Sequence, residues 1–352
     1  MRRSFYREDE IMAGTASENL FYYFRQLSAA DRTVYTQLLT GLKAMQTDIV
    51  CSCSGFDAMK RVVDLVLADH PEIFWFGGSG KMTQQGSRFS FQPAYTVNQA
   101  AKAAREKKIG QAVSAFVRSA ASCRFDAERL EKAYTWLVET TVYDAGAPDN
   151  QNICSVFLNH RSVCAGYAKS LQYLLQQMGM ECLYVSGTAA NRGAHAWNIV
   201  RLDGKYYHTD VTFGDRTFSS GTPRGNGLPK ELEPEYAYLC MSDGEAFRDR
   251  RMNVPAGMKV PACPSADMSW YRRNGLLFSG AGEAWQAIAR SLSRRQTYFC
   301  CQFASQAAYD VFMRDIGNGK FAKLAIEKLR LRSVSTSTSS EPTLRYAVGW
   351  LG

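Results

Sequence analysis

Apolar residues recur at helical spacing through the first half of the chain, and the period shortens to that of strands near residue 180. Ser28, with Asp31 three positions on, reads as a helix start, and Val34, Leu38, Leu39 and Leu42 supply its apolar face. A second helix is expected from about Phe56 to Ala68, with Met59, Val62, Val63, Val66 and Leu67 inward. It should end at His70-Pro71, because proline pushes the preceding residue out of the helical region. Ile73–Phe76 and Arg88–Phe91 read as strands joined by a Gly-rich segment, 77–86. A long Ala- and Lys-rich helix is expected from Thr96 to about Ala121. Another should run from Asp126 to about Val142 on a stripe of Leu130, Ala133, Tyr134, Leu137 and Val138.

The next helix differs in carrying a cysteine at its start. After Arg161-Ser-Val-Cys164, the positions Tyr167, Leu171, Leu174, Leu175 and Met178 keep helical spacing, and Gly179 supplies the stop. Beyond it, Cys182–Ser186 reads as a strand and 187–194 as a loop of small residues. His195–Leu202 and Lys205–Thr212 then form a hairpin around Asp203-Gly204, a strong two-residue turn signal. Beyond the apolar stretch Tyr236–Cys240, the Pro-containing stretch 252–266 looks like a linker. The tail reads as a helix (283–292), a strand (297–303), two helices and a last strand (344–350), with a mobile Ser/Thr-rich loop at 333–340. The expected organisation is a mostly helical N-terminal region with a small β element (1–120), a core (121–250) and a small α+β subdomain (265–352).

Composition is that of a globular protein, with 46% hydrophobic and 21% charged residues in 352. No apolar run is long enough to span a membrane, and the basic start lacks the apolar segment of a signal peptide. Ten cysteines without paired spacing do not make a disulfide framework, which points to a reducing, cytoplasmic setting. The formal net charge is +9, and most of the excess lies after residue 260. Those cations are spread over several elements without a nucleic-acid motif, so a solvated basic surface is the expected reading and nucleic acid is not an expected partner. Gly77, Gly78, Gly80 and Lys81 are no phosphate loop, since Met82 stands where Ser or Thr is required. No metal site or cofactor motif is evident; Cys51-x-Cys53 and Cys300-Cys301 lack the two-plus-two spacing of zinc ligands.

The hairpin register carries the chemistry. A two-residue turn pairs Leu202 with Lys205 and sets His195 and Asp210 on one face, as diagonal neighbours roughly 7–8 Å apart at their Cβ atoms or somewhat less. A carboxylate there can hold an imidazole in one tautomer. Cys164, at a helix N-terminus where the backbone favours negative charge, completes a thiol–imidazole–carboxylate set once the helix packs on the sheet. The thiolate would be the nucleophile, His195 its proton partner and Asp210 the orienting acid. Tyr167 and Trp197 are expected as packing or substrate-facing wall around the site, Asn198 as a structural hydrogen-bonder on the other face, and His208 as an auxiliary group opposite Ile199. The other nine cysteines, and His70 and His160, are read as structural.

Several stretches together resemble the transglutaminase-like core of bacterial proteins. They are Ser162-Val-Cys-Ala-Gly-Tyr-Ala-Lys, Met178-Gly-Met-Glu-Cys182, Val185-Ser-Gly187, His195-Ala-Trp-Asn-Ile-Val, Asp203-Gly-Lys-Tyr-Tyr-His and Asp210-Val-Thr. The resemblance is specific across about 150–215 and weaker at Asp69–Trp75 and Tyr236–Asp243. Where many relatives carry Trp-Asp-Asp or Trp-Gly-Asp, this chain has Phe213-Gly-Asp215. The resemblance implies an α+β fold with a papain-like core, a Cys-bearing helix packed on an antiparallel sheet. It also implies Cys164 as nucleophile, His195 as base and Asp210 as orienting acid. The expected function is cysteine-dependent acyl transfer on peptide or protein amides through a thioester, ending in hydrolysis or transamidation. The alternative is a non-catalytic binding protein that holds a partner with its basic C-terminal subdomain.

Overall fold

The expected helices form, with the caps the sequence offers. In the computed structural model, which describes residues 18–190, 192–219, 234–341 and 344–351, the first helices are α1 (Tyr22–Gln26), α2 (Ala29–Lys43) and α3 (Phe56–Asp69). The Ser28 hydroxyl caps α2 by accepting from the Asp31 N–H. Helix α1 has no capping side chain of its own, because Phe21 stands at that position. Asp69, at the end of α3, does the work instead: its carboxylate accepts from the Tyr23 and Phe24 N–H groups at 3.3 and 2.9 Å and from the Tyr35 hydroxyl at 3.1 Å.

Strands β1 (Ile49–Cys51), β2 (Phe76–Gln85) and β3 (Arg88–Tyr95) make a small antiparallel sheet in the order β1-β3-β2. The Gly-rich segment read as a connection is thus itself strand β2. Its glycines serve close approach, since a Cβ at Gly80 would lie 2.6 Å from the Gln92 carbonyl and the Phe91 ring. Helices α4 (Gln99–Ser119), α5 (Asp126–Thr140), α6 (Cys154–Phe157) and α7 (Cys164–Gln177) follow. Then come β4 (Cys182–Ala189), β5 (Gly193–Leu202), β6 (Lys205–Thr209) and, after a long excursion, β7 (Arg250–Asn253), in an antiparallel sheet ordered β6-β5-β4-β7.

The chain divides into two compact units, Met1–Thr212 with Ser242–Pro264, and Phe213–Met241 with Ser265–Gly352. The first holds everything described so far. Strand β7 was not expected: its four residues are Arg-Arg-Met-Asn, with no apolar alternation to mark them, and pairing with Ser186–Ala189 alone makes them a strand. In the second unit Tyr236–Tyr238 is a 3₁₀ turn. The tail forms a sheet of β8 (Leu277–Phe278), β9 (Tyr298–Phe303), β10 (Ser335–Glu341) and β11 (Arg345–Leu351), ordered β8-β9-β11-β10. Helices α8 (Ala281–Ser293), α9 (Gln306–Gly317) and α10 (Lys320–Leu329) accompany it. The Ser/Thr-rich segment expected as a loop is the edge strand β10, paired along its whole length with β11. An edge strand needs only one backbone partner and no apolar face, so polar residues do not disqualify it. Mixed helix and sheet in both units make the chain α+β.

Helix α7 is the best-anchored element of the first unit. Ala165, Tyr167, Ala168, Leu171, Leu174 and Leu175 are buried. The Gln172 and Gln176 amides donate to the Ala68 and Asp69 carbonyls at the end of α3, at 2.7 and 2.9 Å. Asn198 of β5 donates to the Ala168 carbonyl at 3.0 Å, a structural role. The first turn is held from the other side by Ser155 and Ser162, whose hydroxyls lie 2.7 Å apart. Gly166 lets the helix come that close, for a Cβ there would sit 2.0 Å from the Ser162 Oγ and 2.5 Å from the Ser155 Oγ. Gly166→Ala should therefore lower stability by roughly 1–3 kcal/mol through overpacking, read by urea unfolding. A neutral result would mean the turn can shift freely.

Candidate active site

Cys164 opens α7. Val163 before it is extended and has no side-chain oxygen, so the first-turn N–H groups lack a cap from that position. The helix dipole favours negative charge there. Cys164 is partly exposed, whereas Cys51, Cys154, Cys182, Cys240, Cys263, Cys300 and Cys301 are buried. Burial pushes the Cys51, Cys154, Cys263 and Cys300 thiols up to about 12, which keeps them protonated and unreactive.

The hairpin closes as its turn dictates. Asp203 and Gly204 both take positive φ, at 48° and 83°, and the pairing runs from Leu202↔Lys205 to Asn198↔Thr209. Continued one step it sets Asp210 opposite Trp197 and diagonal to His195. His195 Nε2 and Asp210 Oδ2 lie 2.8 Å apart, with the residues 4% and 0% exposed. An ionised carboxylate can only accept, so the ring proton belongs on Nε2 and Nδ1 is left for the thiol. Cys164 hydrogen-bonds to the same imidazole. The structure thus brings Cys164, His195 and Asp210 together.

Two aromatic residues read as site wall lie deeper. Tyr167 has no exposed surface, and its hydroxyl donates to the Thr141 carbonyl at 2.9 Å. Trp197 is equally buried and stacks on His195, with ring centroids 5.9 Å apart and planes at 16°. Both back the site from inside and present no surface to a substrate. Half-buried Tyr143 and Tyr184 were missed: burial raises both hydroxyls, Tyr184 to about 12, and the Cys164 charge adds to each shift. Neither carries a motif, and only the folded chain brings them near the thiol.

Arg250 was also missed. Its side chain, 1% exposed, donates from Nη2 and Nε to Asp210 Oδ2 at 2.7 and 3.1 Å, and Nη1 pairs with Asp249. One carboxylate oxygen thus receives His195 on one side and Arg250 on the other. Burial opposes charge on Asp210, but His195 and Arg250 outweigh it and hold the carboxyl well below its usual range. Burial likewise opposes the imidazolium of His195. The Asp210 charge and hydrogen bond, with a contribution from Cys164, overcome it and raise His195 to about 9.

Behind Trp197 sits a second imidazole. The indole Nε1–H, an obligate donor, points at His208 Nδ1 at 3.0 Å, so His208 carries its proton on Nε2, which donates to Asp243 Oδ1 at 2.9 Å. Burial holds His208 below the ordinary histidine value despite Asp243. Ligand atoms of His208, Asp243 and Cys263 lie within 4.8 Å of one another. A metal on Nε2 would force the ring proton onto Nδ1, against the indole N–H. The group is accordingly a hydrogen-bonded network.

A thiol at a helix N-terminus, served by an imidazole and a carboxylate from an antiparallel hairpin, defines the class of site. Residues 111–211 match the model of the transglutaminase-like superfamily. Kyphoscoliosis peptidase of Mus musculus and of Homo sapiens is 24% identical over 123 residues, which is 30% of this chain and 19% of each relative. The chain thus spans about a fifth of the length of these curated relatives. Among solved structures, a TGase aligns at 12% identity over 49% of this chain and 54% of its own, with a TM-score of 0.30. The periplasmic domain of TgpA from Pseudomonas aeruginosa aligns at 16% identity over 38% of this chain and 58% of its own, with a TM-score of 0.26. Among the described residues no helix is long and apolar enough to cross a membrane.

The electrostatics predict a pH dependence of stability. His195 binds its proton more tightly folded, at about 9, than unfolded, near 6.5. Its contribution is therefore complete below pH 6.5 and fades as pH rises towards 9, a loss on the order of 3 kcal/mol. Urea unfolding across this range should show that decline in the native protein and a flatter profile in His195→Gln. Parallel profiles would contradict the raised pKa.

Proposed function

We propose that the chain is a cysteine-dependent acyl-transfer enzyme acting on peptide or protein amides through Cys164, His195 and Asp210. The observation that carries the reading is the position of the His195 ring, hydrogen-bonded both to Cys164 and to the buried Asp210 carboxylate. The match of residues 111–211 to the transglutaminase-like superfamily model supports it. His195 Nδ1 takes the thiol proton, and the thiolate attacks the amide carbonyl. Backbone N–H groups at the start of α7 suit the developing oxyanion. The imidazolium then protonates the departing ammonia or amine as the C–N bond breaks, leaving a thioester on Cys164. Water, deprotonated by Nδ1, attacks the thioester and releases the acid; an amine in its place gives transamidation. Hydrolysis is the favoured outcome, because water requires no second binding site.

Cys164→Ala should abolish both peptide cleavage and labelled-amine incorporation, assayed side by side on the same substrate panel. Asp210→Asn should lower kcat by roughly 10²–10⁴. Iodoacetamide near neutral pH should modify Cys164 well ahead of partly exposed Cys53 and Cys123. Equal labelling of the three, or full activity in the Cys164 variant, would sink the mechanism and favour a binding protein that keeps the fold.

A further inference from the structure

We infer that Arg250 is a positioning residue of the site, fixing the Asp210 carboxylate and setting the proton affinity of His195 through it. The inference rests on the acyl-transfer reading for its purpose, but its geometry stands independently. Three donors converge on Asp210 Oδ2: His195 Nε2 at 2.8 Å and Arg250 Nη2 and Nε at 2.7 and 3.1 Å. A guanidinium presenting two N–H groups to one oxygen fixes the carboxylate's rotation as a single ammonium does not. The oxygen that faces His195 is thereby held in place whether or not the imidazole is charged.

The second half of the argument is charge. Asp210 and Arg250 are 0% and 1% exposed, and His195 is 4% exposed. With Arg250 present, the thiol–imidazole form sums to zero, since Asp210 and Arg250 cancel. The thiolate–imidazolium form also sums to zero. Proton transfer from Cys164 to His195 then changes no net charge in a buried site, where an unbalanced charge is costly. Without Arg250, the Asp210 charge would lose its guanidinium counterpart and bear more heavily on the imidazolium, so His195 would hold its proton more tightly. That is the wrong behaviour for a group that must take up and deliver a proton in each cycle.

Among the described residues, the other titratable neighbours Asp249, Tyr134 and His208 do not replace it. Asp249 pairs with the Arg250 Nη1 from the solvent side and is 37% exposed. Tyr134 donates its hydroxyl to the Asp210 carbonyl at 3.4 Å. His208 is held below the ordinary histidine value by burial and occupied with Trp197 and Asp243. Cys164 lies on the opposite side of the imidazole, with Tyr143 and Tyr184 near it and Arg192 close to Tyr143. Arg250 also lies outside the stretch that matches the superfamily. It arrives on β7, after residues 213–241 have gone to the other unit and the chain has returned.

The chain has four histidines, so ¹³C-histidine NMR can follow His195 directly, assigned with His195→Gln. Arg250→Met should raise the His195 pKa by about one unit or more, a tenfold tighter proton. Arg250→Lys, which keeps the charge, should bring it back towards the native value. If R250M does not fold, the comparison moves to Asp210→Asn, where the unbalanced carboxylate is gone. Adding R250M to D210N should then change the His195 pKa little, because the carboxylate through which Arg250 acts is absent. A folded R250M with an unchanged His195 titration, or about a tenfold or larger shift between D210N and D210N/R250M, would overturn the inference. The titration is read on resting protein, so it separates this role from turnover. An inert Cys164 with the expected shift would defeat the proposed function and leave Arg250's hold on the pair intact.

Discussion

A buried carboxylate is the constraint on which the candidate site of this molecule depends. Asp210 has no exposed surface, and an isolated anion in such a place would cost several kcal/mol after relaxation, or would simply take up a proton. Here it stays ionised because two cationic partners meet it from different strands, His195 from β5 and Arg250 from β7. Removing either partner takes away one of these two cationic pairings. The sheet order β6-β5-β4-β7 is thus an electrostatic requirement as well as a backbone arrangement. The edge strand β7 is held in register on β4 by Ser186–Ala189, and that register delivers the guanidinium.

The thiol is positioned by separate forces that agree. Apolar burial sets the rotation of α7, the Gln172 and Gln176 amides fix it along its length, and Gly166 permits its first turn to press on Ser155 and Ser162. Asn198, on the face of β5 opposite His195, ties the helix to the strand that carries the imidazole. A packing error at any of these points would move Sγ relative to a ring that the hairpin fixes. The loss would be felt as geometry before it was felt as stability.

Much of the site was legible because it is encoded locally. A two-residue turn with a known register places His195 and Asp210 on one face by counting, and helical periodicity places Cys164 at a helix start. The observed ladder follows that count pair by pair. Arg250 was not legible, for a physical reason. It lies forty residues from Asp210, in a run of charged residues that reads as surface, and nothing local announces a buried guanidinium. The same holds for strand β10, where Ser and Thr suggested a loop, and for β2, where glycine did. In both, the partner strand supplies what the sequence of the segment lacks. Periodicity reports which face is buried, so it is silent about edge strands that bury neither face.

The two histidines of the hairpin show how much the surroundings decide. His195 and His208 each contact one aspartate at 2.8–2.9 Å and each lies beside Trp197, yet their proton affinities diverge. Asp210 is fully buried, so its charge acts on His195 almost unscreened and lifts it to about 9 despite burial. Asp243 is 34% exposed at its side chain, and water weakens its pull on His208. The decisive difference is at the other nitrogen. His195 presents Nδ1 to the Cys164 thiol. His208 presents Nδ1 to the indole N–H, and protonation there would set two donors against each other. The surroundings of one imidazole favour its charged form and those of the other its neutral form. The neutral one, anchored by Asp243, holds the indole that stacks against the one that titrates.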